Sequence, residues 1–68
     1  RSLTEADWTR LIGYANKVSS DYYQSELLLN IAEKMPDNEN LKKILFEAAK
    51  GIKSEHYYGK LMRKIAAS

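Results

Sequence analysis

Residues 18–28, VSSDYYQSELL, decide the fold, because a related stretch, IKSEHYYGKLM, occupies residues 52–62. The offset of 34 residues also aligns apolar and capping positions on both sides of these stretches, whereas the mismatched positions are mostly polar. The aligned pairs are Leu11/Leu45, Ile12/Phe46, Ala15/Ala49, Val18/Ile52, Ser20/Ser54, Asp21/Glu55, Tyr23/Tyr57, Leu27/Leu61, Leu28/Met62, Ile31/Ile65 and Ala32/Ala66. A shared core pattern with variable surfaces predicts two structural repeats, residues 4–37 and 38–68.

Four places in the sequence carry the same helix-start chemistry. A side-chain acceptor is followed by an acid at Thr4-Glu5, Ser20-Asp21, Asn38-Glu39 and Ser54-Glu55. Such acceptors bind free amide groups of a first helical turn, and an acid there meets the positive end of the helix dipole. Pro36 ends the second helix, and Gly51 suits a left-handed C′ position after the third. We therefore predict helices over 5–17, 21–34, 39–50 and 55–67.

Apolar residues recur at helical spacing in each predicted helix. The expected core faces are Trp8, Leu11, Ile12, Ala15 and Val18; Tyr23, Leu27 and Ile31; Leu41, Ile44, Leu45, Ala48 and Ile52; and Tyr57, Leu61 and Ile65. Phe46 and Met62 either pack against the first hairpin or form an apolar end, and we expect burial for Phe46. The pattern predicts an all-α fold: two antiparallel helical hairpins stacked as a short right-handed α-solenoid.

Length and composition exclude several classes of protein. With 68 residues and no cysteine, the chain forms one domain without disulfide bonds or thiolate chemistry. Below roughly 70–80 residues, one core rarely supplies more than about 3–5 kcal/mol, so the packing is very regular or a neighbour is required. No stretch approaches the roughly 18 apolar residues of a membrane span, so we expect no membrane insertion.

The two related stretches are similar to a bacterial helical repeat that reads apolar, x, Ser, Asp, Tyr, followed by Leu-Leu and Leu-Ala. The resemblance covers residues 5–67, and the second copy departs from it at Glu55-His56. Such HEAT- or TPR-like hairpins occur in arrays next to antirepressor-type metallopeptidases and other bacterial signalling proteins. The resemblance implies an interaction scaffold in the bacterial cytoplasm or periplasm. The sequence has no His-Glu-x-x-His motif, so no peptidase role is implied.

The sequence indicates a binding protein rather than an enzyme. Its single histidine, His56, is adjacent to Glu55, and adjacent residues on a helix point apart. We expect no catalytic residues, metal site or cofactor, and interpret His56 as an aromatic-like filler that aligns with Tyr22. Tyrosine offers a large contact area at low entropic cost. The candidate protein-binding residues are Tyr14, Tyr22, Tyr58 and Met62, with partial burial as the competing interpretation of each tyrosine; the matched Tyr23 and Tyr57 are expected in the core.

Charge is divided unevenly between the two halves. Residues 1–38 contain four basic and six acidic residues (net −2), and residues 39–68 contain seven and three (net +4). The basic surface candidates are Lys42, Lys43, Lys50, Lys53, Lys60, Arg63 and Lys64. Solvated helix faces, nucleic-acid binding and head-to-tail stacking are alternative interpretations.

These patterns predict a non-catalytic scaffold for protein–protein interaction, whose partner is a protein, a neighbouring repeat or a second copy. The alternatives are a small basic nucleic-acid-binding domain and a stand-alone effector that resembles an inhibitor or immunity protein.

Overall fold

The structure, a computed structural model, describes residues 3–67, and this part of the chain is helical without strands. The helices are α1 (Glu5–Asn16), α2 (Asp21–Lys34), α3 (Glu39–Ala49) and α4 (Glu55–Ala67). All four starts agree with the sequence prediction, and the ends agree within one residue. The predicted all-α fold class is confirmed. The last residue of the predicted second repeat, residue 68, lies outside the described part.

The helix starts are fixed by the capping residues that the sequence indicated. The side chains of Thr4, Ser20 and Asn38 accept hydrogen bonds from backbone N–H groups three residues on. Ser54 accepts in the same way from the N–H of Tyr57, at 3.4 Å, the distance also found at Ser20. At α1 the contact is reciprocal, because Asp7 Oδ2 accepts from the N–H of Thr4 at 2.9 Å.

Gly51 occupies the expected C′ position after α3, directly after the C-cap residue Lys50, but without left-handed geometry. No residue among 3–67 has a positive φ angle, and α3 ends at Lys50 in ordinary helical geometry. The N–H of Gly51 donates to the carbonyl of Ala48, and the N–H of Ile52 donates to that of Ala49, which makes a tight turn without glycine geometry. Gly51 instead allows a close approach: a Cβ there would lie 3.2 Å from Asn16 Oδ1 and 3.5 Å from Gln24 Nε2.

The helices pack in neighbouring pairs: α1 against α2 and α3, α4 against α2 and α3, and α2 also against α3. One cluster of buried residues joins all four helices and the turn after α3. Its members are Ile12, Ala15, Leu28, Ala32, Leu45, Ala48, Ala49, Ile52, Leu61 and Ile65. Ile31, Met35, Ile44, Tyr57 and Met62 are among the half-buried residues that pack against this cluster.

Two of the expected core faces, those of α1 and α2, require correction. Leu11, Tyr23 and Leu27 are exposed, although they fall on the predicted stripes of α1 and α2. In α2, the buried face is rotated relative to the predicted stripe. It begins at Gln24, one residue after Tyr23. That face contains Gln24, Ser25, Leu28 and Ala32. The expected burial of Phe46 is also wrong, since its side chain faces away from the core cluster.

Candidate protein-interaction surfaces

Exposed apolar side chains define two surfaces, one on α1 and α2 and the other on α3 and α4. The first, on α1 and α2, contains Leu11, Tyr23 and Leu27, and we call it the leading face. The second, on α3 and α4, contains Phe46 and Tyr58, with Met62 half-buried one turn after Tyr58; we call it the trailing face. Each face thus exposes large apolar side chains, which are candidates for contact with another protein.

The two faces are related by an exchange of burial between residues 34 positions apart. Leu27 is 43% exposed, whereas its counterpart Leu61 is fully buried. The opposite holds for Ile12, which is 1% exposed, and its counterpart Phe46, which is 40% exposed. The leading face therefore consists of residues whose counterparts in the second repeat are covered. The trailing face likewise consists of residues whose counterparts in the first repeat are covered.

Polar contacts join helix starts of the first half of the chain to helix starts of the second half. The Glu5 carboxylate accepts hydrogen bonds from the side-chain amides of Asn38 and Asn40, both at 2.9 Å. The Asp21 carboxylate accepts from the backbone N–H groups of Lys53 at 3.1 Å and Ser54 at 2.8 Å. The start of α1 therefore lies beside the start of α3, and the start of α2 beside the start of α4.

Four aromatic side chains form a row across the starts of α2 and α4. The ring centroids of Tyr22 and Tyr23 are 5.1 Å apart, those of Tyr22 and Tyr57 5.7 Å, and those of Tyr57 and His56 5.1 Å. All three pairs are edge-to-face, the favoured geometry for aromatic rings. The row ends on Tyr23 at the leading face and on His56 at the opposite end, so each terminal ring has one free side among residues 3–67.

One buried polar side chain supports the turn between α1 and α2. Gln24 is 4% exposed, and its amide donates to Asn16 Oδ1 at 3.0 Å and to the backbone carbonyl of Asn16 at 3.3 Å. The absence of a side chain at Gly51 leaves the space that this amide occupies. The contact ties the start of α2 to the end of α1.

The candidate binding residues do not converge on one site. Tyr14 is 63% exposed and lies with Leu3 and Leu11 around an open depression, whereas Tyr22 belongs to the aromatic row. Tyr58 and Met62 lie one turn apart on the trailing face. Tyr14 is mostly exposed, whereas Tyr22 and Tyr58 are 48% and 38% exposed, so partial burial describes these two side chains.

The sequence analysis missed Leu11, Tyr23, Leu27 and Phe46 as surface residues because it placed them in the core. The excess of apolar residues over one stripe per helix was the signal that could have identified them.

Four of the seven basic candidates contact carboxylates. Lys50 lies 3.0 Å from Glu47 and Lys42 lies 3.1 Å from Asp37, both measured between nitrogen and oxygen. Two further pairs at 3.7 Å cross from α4 to α2: Lys60 with Glu26 and Lys64 with Glu33. The second half of the chain is therefore less positive at its surface than its residue count indicates.

Within residues 3–67, no three His, Asp or Glu side chains are grouped closely enough to hold a metal ion. None of the described helices combines the length and the apolar character that crossing a bilayer requires.

Comparison with known proteins gives no family assignment, because neither a family model, a curated protein nor a solved structure matches this sequence. The resemblance to bacterial HEAT- or TPR-like repeats therefore remains a hypothesis based on the motif.

Proposed function

We propose that this chain is a non-catalytic helical-repeat scaffold that binds other proteins through its end faces. In this proposal, α1–α2 and α3–α4 are antiparallel hairpins stacked as a short right-handed α-solenoid. The exchange of burial between residues 34 positions apart is the observation that carries it. In a stack of repeats, one side of each repeat covers the opposite side of the next, so terminal repeats expose one face each.

The contacts between helix starts support the stacked arrangement. Glu5 reaches the start of α3 and Asp21 reaches the start of α4, as expected if equivalent helices run side by side in the same direction. The pair Glu33–Lys64, near the ends of α2 and α4, agrees with this direction. The Gln24–Asn16 contact joins the start of α2 to the end of α1, as an antiparallel hairpin requires.

The chemistry of the end faces supports a protein partner. The exposed side chains are aromatic or large and aliphatic, and they sit on helices that the core holds in place. Aromatic residues on a rigid surface contribute strongly to protein interfaces. The nucleic-acid alternative draws less support, since the ion pairs of Lys42, Lys50, Lys60 and Lys64 reduce the positive charge that phosphate binding would use.

Adding a third hairpin tests the stacked architecture. In this chain, residues 1–68 are followed by a second copy of residues 35–67, which keeps the spacing of 34 residues and lets the loop beginning at Met35 join the new hairpin to α4. Covering the trailing face should raise the free energy of unfolding by about 3 kcal/mol or more, because two large side chains become buried. The control is the same long chain with Phe46→Glu in its middle hairpin. Equal stability of the long chain and the two-hairpin chain would contradict the stacking.

Retention of proteins from a bacterial extract tests the binding function. The immobilised chain is compared with its Leu27→Lys and Phe46→Glu variants, which change one end face each. Lys34→Gln, an exposed change at the end of α2 that belongs to neither face, is the control. We expect the control to retain the same proteins as the unchanged chain and at least one face variant to lose them. Identical retention by all four proteins would argue against binding through the end faces.

A further inference from the structure

We propose that two copies of this chain associate head to tail, with the trailing face of one copy packed on the leading face of the next. The inference rests on the stacked arrangement proposed above and names its partner. Both faces are exposed and apolar, and each is the 34-residue counterpart of a surface that is covered inside the molecule. The contact between copies would therefore repeat the contact between the two halves of one chain.

The aromatic row provides the first specific contact. Inside the molecule, Tyr22 of the first repeat meets Tyr57 of the second at 5.7 Å. In the contact between copies, His56 of one copy takes the place of Tyr22, and Tyr23 of the next copy takes the place of Tyr57. These are the two rings at the free ends of the row, so head-to-tail association would join the rows of successive copies edge to face.

The helix starts provide the second contact. Inside the molecule, Asp21 accepts hydrogen bonds from the N–H groups of Lys53 and Ser54. The shifted equivalents are the Glu55 carboxylate of one copy and the N–H groups of Ser19 and Ser20 of the next. Within residues 3–67, the Glu55 carboxylate forms no hydrogen bond or ion pair. The backbone N–H groups of Ser19 and Ser20 have no hydrogen-bond acceptor there either. An acceptor and two donors of matching spacing are thus left open at opposite ends of the molecule.

Charge favours the same arrangement. The internal pair Glu26–Lys60 shifts to Lys60 of one copy and Glu26 of the next, so charges of opposite sign would continue to alternate along the stack. Residues 1–38 carry a net charge of −2 and residues 39–68 one of +4, which attracts opposite ends of two copies, although the pairs of Lys42, Lys60 and Lys64 with acids of the first half offset part of this difference. The same charge difference disfavours contacts between two leading or two trailing faces. A second copy placed head to tail is therefore the occupant that the charges select.

The contact between copies should be weaker than the internal one. On the trailing face, Phe46, Tyr58 and Met62 stand where Ile12, Gln24 and Leu28 lie at the internal contact. On the copy that packs against it, Lys17 stands where Gly51 lies at the internal contact. The larger side chains fit less closely over the neighbouring copy, so association requires high protein concentration. Because the two contact surfaces differ, addition of copies does not close into a symmetric dimer, and the chain of copies can grow.

Sedimentation velocity and light scattering across about 10 µM to about 1 mM test the association. We expect the average mass to rise with concentration beyond that of a dimer. Leu27→Lys on the leading face and Phe46→Glu on the trailing face should each keep the protein monomeric, whereas Lys34→Gln, an exposed change at the end of α2, should associate normally. Tyr23→Ser should weaken association about tenfold through loss of one ring contact. Circular dichroism verifies that each variant is folded.

Mixing the two face variants gives the sharpest result. Leu27→Lys keeps an intact trailing face and Phe46→Glu keeps an intact leading face, so an equimolar mixture should form a one-to-one complex that grows no further. A monomer at about 1 mM, undiminished association of Leu27→Lys, or no complex in the mixture would each overturn the proposal. Monomeric behaviour together with a stabilised three-hairpin chain would overturn self-association alone and leave the stacked scaffold intact.

Discussion

The Asp21 carboxylate accepts a 2.8 Å hydrogen bond from the backbone N–H of Ser54, 33 residues further along the chain. The same carboxylate oxygen accepts from the N–H of Lys53 at 3.1 Å. An acid at the first position of α2 therefore also satisfies free donors at the start of α4. This relationship joins the two repeats through backbone groups, whose positions do not depend on the identity of the side chains at 53 and 54.

Asp21→Ala should lower the free energy of unfolding by about 1–2 kcal/mol, because two hydrogen bonds to a charged acceptor are lost. The matched control is Glu55→Ala, which removes an acid from the same position of α4. Glu55 makes no contact of this kind within residues 3–67, so we expect its replacement to cost only about 0.5 kcal/mol through the helix dipole. Urea unfolding measures both. Equal losses in the two variants would show that the contact with residues 53 and 54 adds nothing.

Asp7 should make the start of α1 sensitive to acid. Hydrogen bonds from the backbone N–H and the hydroxyl of Thr4, with a smaller effect from Arg10, hold the pKa of this carboxyl below its ordinary value of 3.8. A lowered pKa in the folded protein means that the ionised group stabilises the fold at neutral pH. That stabilisation disappears as the pH falls below the ordinary value and through the lowered one.

Asp7→Asn should consequently reduce the difference in unfolding free energy between pH 7 and pH 3 (about neutral and about one unit below the ordinary Asp pKa). Urea titrations at both pH values measure this difference. The control is Asp37→Asn, since Asp37 forms an exposed ion pair with Lys42 and accepts no backbone hydrogen bond within residues 3–67. A difference in Asp7→Asn as large as that in the unchanged protein would contradict the role of the capping box.

Gly13 and Gly51 should respond differently to alanine. Gly13 lies inside α1, and a Cβ there would meet no atom within 4 Å, so Gly13→Ala should stabilise the protein by about 0.5–1 kcal/mol. Gly51→Ala gains similar unfolded-state entropy but places a methyl group 3.2 Å from Asn16 Oδ1. We expect a smaller gain or a loss in thermal or urea unfolding. A gain at residue 51 equal to that at residue 13 would show that the Gln24–Asn16 contact does not require the space.

Helix positions could be predicted from the sequence because their causes are local. A capping side chain acts within three residues, and Pro36 acts on its immediate predecessor, so Thr4, Ser20, Asn38 and Ser54 marked the helix starts correctly. No information about distant parts of the chain was needed.

The buried faces could be predicted only in part because they depend on distant neighbours. In α2, apolar residues occupy two adjacent stripes, one through Leu27 and one through Leu28, and periodicity favours neither. Only the position of α4 decides that Leu28 is covered. For the same reason the sequence identified Tyr58 and Met62 as interaction candidates but placed their neighbour Phe46, and the leading-face residues, in the core.

Alanine substitution at residues 34 positions apart should therefore give unequal losses of stability. Leu61→Ala should lower the free energy of unfolding by about 2–5 kcal/mol, because it removes a fully buried side chain and leaves a cavity. Leu27→Ala, the same change at the equivalent position of the first repeat, should cost about 1 kcal/mol or less, since solvent already reaches that side chain.

The order should be reversed for the neighbouring pair, with Leu28→Ala more damaging than Met62→Ala. Urea unfolding of all four variants measures these losses in one experiment. Comparable losses within each pair would mean that the repeats share one environment, and the assignment of leading and trailing faces would be wrong. Losses in the expected alternating order would locate the covered surface between the first pair of helices and the second, because Leu28 and Leu61 are buried there while Leu27 is exposed and Met62 is half-buried.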